Sequence, residues 1–132
     1  MIIGIDIDDT ITAMPAFFKE LTRSMNKNGH KVHIITSRTD IEEACRETIK
    51  ELNKLGMVYD YLYFLPPYSV AKGTCPHNEL DWHQKYLWQK VDYCLKNGIS
   101  EYYDDDIKVI GLFRQYASEI KVSQIAAKKK KV

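Results

Sequence analysis

Residues 2–12, IIGIDIDDTIT, decide the fold: an Ile-rich run ends in three aspartates, Asp6, Asp8 and Asp9, within four positions. A short, continuous apolar run is the pattern of a strand buried on both faces, as parallel sheets use. Carboxylates crowded at the end of such a strand repel one another, which raises their proton affinity unless a cation offsets the charge. A helix cap needs one acid, not three.

Outward from this strand, strand and helix patterns alternate. Pro15 stands near the first turn of a helix carrying Phe17, Phe18, Leu21 and Met25 on one face, and Asn28-Gly29 stops it. KVHII, ending at Thr36, is a second buried strand. Thr39-x-x-Glu42 has the spacing of a capping box, and Ile41, Cys45, Ile49, Leu52 and Leu55 form the stripe of the helix behind it, ended by Gly56. YDYLYFL reads as a third strand. An irregular stretch, 66–80, is long enough to suggest function. Asp81 caps a helix holding Leu87, Val91 and Leu95, which stops at Asn97-Gly98. SEYY is a fourth strand, IKVIGLFRQY a short helix and EIKV a fifth strand. This alternation predicts an α/β fold, an open parallel five-stranded sheet with helices on both faces, in one domain over 1–125 with a flexible basic tail over 126–132.

Several classes are disfavoured. The 132 residues are 45% hydrophobic and 28% charged, the balance of a globular domain. No apolar stretch approaches the roughly 20 residues of a membrane span, and the acidic first strand does not read as a signal peptide. Cys45, Cys75 and Cys94 form no CxxC pair and fit reduced thiols in a cytoplasmic setting. The net charge is +1, and subtracting Lys128–Lys131 leaves −3 for the body, so a basic nucleic-acid footprint is confined to the tail. Cys75, His77, Asp81 and His83 match no common zinc spacing.

Open parallel sheets bind ligands at the carboxyl ends of their strands, and there the polar residues gather. The first strand ends in Asp6-Ile7-Asp8-Asp9-Thr10, the second in Thr36-Ser37-Arg38 and the fourth in Asp104-Asp105-Asp106; Lys85 lies in the first turn of the helix leading into the fourth strand. This order resembles the haloacid dehalogenase superfamily of phosphohydrolases, over about residues 1–125. Asp6, Asp8 and Thr10 match its DxDx[TV] motif, Thr36 its second motif, Lys85 its lysine (with Lys90 and Lys72 as alternatives) and Asp104-Asp105 its closing acid pair. ITSRTD, YDYLYF and the lysine-to-acid spacing look particularly like the phosphatase half of polynucleotide kinases, although Asp106 stands where those proteins usually carry an Arg.

The resemblance implies a Mg²⁺-dependent phosphomonoesterase. Asp6 would attack phosphorus and Asp8 would act as acid and then base. Thr36 and Lys85 would bind the phosphoryl oxygens. Mg²⁺ would be held by Asp6, the Asp8 backbone carbonyl, Asp104 and Asp105. About 25 residues separate the first two motifs, too few for a cap domain. Specificity would then come from a bulky substrate, from an oligomer neighbour or from 66–80 as a partial lid. A phosphorylated small molecule and a nucleic-acid end both fit as substrate. Two rivals are a receiver domain, disfavoured because the third strand ends without an acid, and an inert module of the same fold that binds a phosphorylated ligand.

Overall fold

The computed structural model describes residues 1–126, so the expected tail lies, from residue 127 on, outside the described residues. Five strands, β1 (Ile2–Ile5), β2 (Lys31–Thr36), β3 (Tyr61–Phe64), β4 (Glu101–Asp104) and β5 (Lys121–Gln124), form one parallel sheet in the order β3-β2-β1-β4-β5. Five helices connect them: α1 (Pro15–Lys27), α2 (Glu42–Lys54), α3 (Tyr68–Thr74), α4 (Trp82–Lys96) and α5 (Ile107–Tyr116).

Both faces of the central strands are buried, and alternate residues serve opposite layers. Ile3 and Ile5 of β1, with Val32 and Ile34 of β2, pack with Phe18 of α1 and Leu52 of α2. Ile35 and Tyr102 pack with Leu87, Val91 and Cys94 of α4 and with Val109, Leu112 and Phe113 of α5. A glycine is needed in mid-strand at Gly4. A Cβ there would lie 3.0 Å from a Tyr102 ring carbon and 3.1 Å from the Ile35 methyl group.

Some local expectations need correction. The Thr39–Glu42 capping box does not form. The helix starts at Glu42 behind an extended Ile41, with no side-chain cap. Its buried positions are Thr48 and Leu52, whereas Ile41 and Ile49 are exposed. Residues 66–80 are not wholly irregular, because α3 lies within them. Asp81 does cap α4, accepting from the Gln84 amide at 2.8 Å while the Gln84 side chain accepts from the Asp81 amide at 3.0 Å. No helix among the described residues is long and apolar enough to cross a membrane, and the three cysteines are free.

Strand order reverses beside β1. β1, β2 and β3 step one way, and β4 then pairs with the other side of β1, in the register Ile3↔Glu101 to Ile5↔Tyr103. The crevice at the carboxyl ends of β1 and β4 is where such a sheet receives ligands.

Candidate active site

β1 delivers Asp6 to this crevice, its amide still bonded to the Tyr103 carbonyl at 3.0 Å as an extension of the ladder. The chain then makes a wide turn over Ile7–Ile11, in which the Thr12 amide reaches back to the Ile7 carbonyl. Within it Asp9 adopts a left-handed conformation (φ 59°), the only non-glycine to do so among the described residues. Asp tolerates this region better than most side chains. The turn brings Thr10 back over Asp6. Its hydroxyl lies 3.1 Å from Asp6 Oδ2 and 3.2 Å from Asp105 Oδ1, and its one hydrogen can serve only one of them at a time.

Asp6, Asp104 and Asp105 converge so that one carboxylate oxygen from each lies within 4.8 Å of the others, the only such group of acids, histidines and cysteines among the described residues. Lys90 of α4 inserts between two of them, with Nζ donating to Asp6 Oδ1 at 2.9 Å and to Asp104 Oδ2 at 2.8 Å. Lys90 and Asp104 are 3% and 0% exposed, so these are buried ion pairs. Asp104 is satisfied on all sides. Tyr102 donates its hydroxyl to Oδ2 at 2.5 Å, and the Asp106 amide donates to Oδ1 at 3.0 Å.

The electrostatics follow from burial. Desolvation pushes the Asp6 carboxyl up to about 7, with Asp104 adding to the rise and Lys90 opposing it. Asp105 is raised too, by burial and then by Asp104. Burial alone would lower the Lys90 ammonium, but Asp6 and Asp104 outweigh it and the net direction is upward. Two of the three carboxyl groups share one ammonium, a set with room for more positive charge. All the donors are hard oxygens, the kind Mg²⁺ takes. The residues present fit such an ion.

A cavity of about 400 Å³ opens over the cluster, lined among others by Asp8, Asp9, Ser37, Lys90 and Asp106. Asp8 lies on its wall but is held by Arg38, whose Nε and Nη2 donate to its two oxygens at 3.0 and 2.8 Å. The same guanidinium reaches Thr48 Oγ1 at 3.2 Å and Glu51 Oε1 at 2.7 Å. These contacts, the bond to Asp8 foremost, hold the Arg38 guanidinium above its ordinary value. This clamp explains the burial of a threonine, Thr48, on the inner face of α2.

Of the expected site residues, Asp6, Asp104 and Asp105 come together, with Asp8 beside them. Thr36 is fully buried at the end of β2, where its hydroxyl accepts from the Arg38 amide at 3.1 Å. The cavity wall there is Ser37. The expected lysine, Lys85, does not reach the carboxylates; the ammonium among them is Lys90. At about 100° per residue the five intervening steps turn Lys85 some 140° away around α4, whereas Lys90 shares the inward stripe of Leu87, Val91 and Cys94. A lysine inside an apolar stripe was the sequence signal for it. Of the two residues after Thr36, Ser37 lines the cavity and Arg38 turns to Asp8. His77 stacks on Tyr116 with ring centroids 3.8 Å apart and Asp81 caps α4, so the cysteine–histidine set does not converge.

No protein-family model matches the sequence, and no curated protein matches it. Among solved structures, the fold is similar to a chain in the structure of the Pnkp1/Rnl/Hen1 RNA repair complex, with a TM-score of 0.64 and 15% identity. That similarity covers 95% of this chain and 42% of the other, so this chain spans less than half the length of its neighbour. A likeness at this identity shows a shared α/β fold and no more.

Proposed function

We propose that this protein is a Mg²⁺-dependent phosphomonoesterase of the haloacid dehalogenase type, working through a phosphorylated Asp6. The observation that carries the reading is the convergence of Asp6, Asp104 and Asp105 around Lys90 at the reversal of strand order. The likeness to a chain of an RNA repair complex adds support for phosphate esters related to nucleic acid.

In this mechanism Lys90 orients Asp6 and offsets the charge of Asp104. The Asp6 carboxylate attacks phosphorus as the ester P–O bond breaks. Asp8, released from Arg38, would give a proton to the leaving oxygen. Asp8 then takes a proton from water, whose oxygen attacks phosphorus and releases inorganic phosphate and free Asp6. Thr36, fully buried at the end of β2, would have to be uncovered before its hydroxyl could donate to a phosphoryl oxygen. Asp6, Asp104, Asp105 and the Asp8 backbone carbonyl would hold Mg²⁺, which when bound neutralises charge on the transferring group.

A second reading, a non-catalytic module that binds a phosphorylated ligand, draws on the Asp8–Arg38 pair, which must open before Asp8 can act as an acid. One experiment separates the two: phosphate release from p-nitrophenyl phosphate and from phosphorylated oligonucleotide ends, with and without MgCl₂, by wild type and Asp6→Asn. Metal-dependent turnover lost in Asp6→Asn supports the enzyme. Ligand binding with no turnover in any condition supports the inert module and overturns the proposal.

A further inference from the structure

A second cavity, about 590 Å³, adjoins the acidic one. The two meet at Ser37, which lines both, and the Tyr86 hydroxyl donates to the Ser37 carbonyl at 3.0 Å across the junction. The chemistry changes at that point. Asp6, Asp104, Asp105 and Lys90 make the first cavity a place for phosphate and cation, whereas Tyr68, Trp82 and Tyr86 give the second aromatic walls. Trp82 is 61% exposed, and Tyr68 meets it edge to face, with ring centroids 5.8 Å apart and planes at 74°. A large aromatic side chain left in solvent beside a reaction site is a surface awaiting an apolar partner.

We propose that this cavity holds the nucleobase of the substrate, so that the ester hydrolysed at Asp6 is the terminal phosphate of a nucleotide or of a single-stranded end. The inference rests on the phosphomonoesterase reading and adds the substrate class to it. Three observations select a base over other occupants. Aromatic side chains provide stacking that any base accepts. Ser37, Asp40 and His83, which also line the cavity, bring the hydroxyl, carboxylate and imidazole partners that base edges use and a plain phenyl ring does not. No Lys or Arg is among the described residues lining the cavity, so it is not built for a run of phosphodiester backbone. The 66–80 stretch, expected as a partial lid, gains a role here, because Tyr68 at the start of α3 lines the cavity.

The test is a binding measurement in EDTA, which keeps it apart from turnover. Tryptophan fluorescence of the full chain is titrated with AMP, CMP and ribose 5-phosphate, and equilibrium dialysis supplies the same constants for variants. Both nucleotides are expected to change the fluorescence saturably and to bind about tenfold or more tighter than ribose 5-phosphate, the size of one base stack. Trp82→Ala should remove the fluorescence response, Trp88 remaining as the buried reference. It should also weaken nucleotide binding about tenfold while leaving ribose 5-phosphate unchanged, and Trp82→Phe should restore most of the affinity. Equal affinity for AMP and ribose 5-phosphate, or nucleotide binding indifferent to Trp82→Ala, overturns the proposal. Tighter binding of phenyl phosphate than of either nucleotide assigns the cavity to an aryl group and overturns it as well. Nucleotide binding at Trp82 without phosphate release in MgCl₂ leaves the base site standing and removes the catalytic reading, so the two failures are distinct.

Discussion

Lys90→Met tests the electrostatic design of the crevice. Methionine nearly matches the apolar stem of lysine, so the substitution chiefly removes one ammonium with its bonds to Asp6 at 2.9 Å and Asp104 at 2.8 Å. Breaking a buried ion pair by deleting one partner costs about 3–5 kcal/mol. At roughly 3–5 °C per kcal/mol for a chain of this length, the midpoint should fall by about 10–25 °C. The loss should depend on pH. Burial already holds Asp6 up at about 7, and Lys90 is the group that restrains it. Without Lys90 the folded-state value climbs further, so the native variant binds a proton that the unfolded chain, near the ordinary 3.8, has released. Where the native state binds more protons than the unfolded one, stability falls as pH rises. The deficit should therefore be largest near pH 8 and shrink as pH drops through 7 toward 5.5. Urea unfolding in EDTA at several pH values measures it, and MgCl₂ should recover more stability in the variant than in wild type. A variant as stable as wild type at pH 8 would refute the buried pair. A deficit of equal size at pH 5.5 and pH 8 would trace the loss to packing instead.

Three further outcomes follow from single residues. Asp105→Asn removes one negative charge from the acidic triad and should weaken Mg²⁺ binding at least about tenfold by calorimetry, with the circular dichroism unchanged. Asp81→Ala removes the side-chain acceptor of the Gln84 amide, leaving only the bond from the residue-81 amide to the Gln84 side chain, and should cost about 1 kcal/mol in urea unfolding. Gly4→Ala forces a Cβ to within 3.0 Å of Tyr102 in mid-sheet and should cost about 1–3 kcal/mol by overpacking, read as a lowered thermal midpoint.

The sheet could be read from the chain because fully buried strands are written as unbroken apolar runs, and the acids at their ends mark the rim. Asp104 needed no structural insight to place, since it closes a strand pattern. Helix phase was harder. In α2 the buried polar Thr48 serves Arg38, so isoleucines at 41 and 49 drew the stripe to the wrong side. The lysine was misplaced for a related reason. A first-turn position is a sound prior for anion binding, but a long stem can carry an ammonium from the middle of a helix to the rim, and only the inward stripe of α4 reveals it. The Arg38–Asp8 clamp joins residues 30 apart through a guanidinium whose direction no periodicity specifies. The short α3 has no side-chain cap at its start and a glycine inside it, which leaves little local signal.

The central position of β1 has a consequence for biosynthesis. Its partner on one side arrives within the first 36 residues, but on the other side Ile3 must wait for Glu101. As the chain leaves the ribosome, β1 and β2 can dock early, leaving a long-lived open edge of isoleucines and an aspartate without its counter-charge. Lys90 emerges fourteen residues ahead of Asp104, so the positive charge is made before the second carboxylate it must hold. Fragments that stop short of β4 would carry that unprotected edge and be poor survivors.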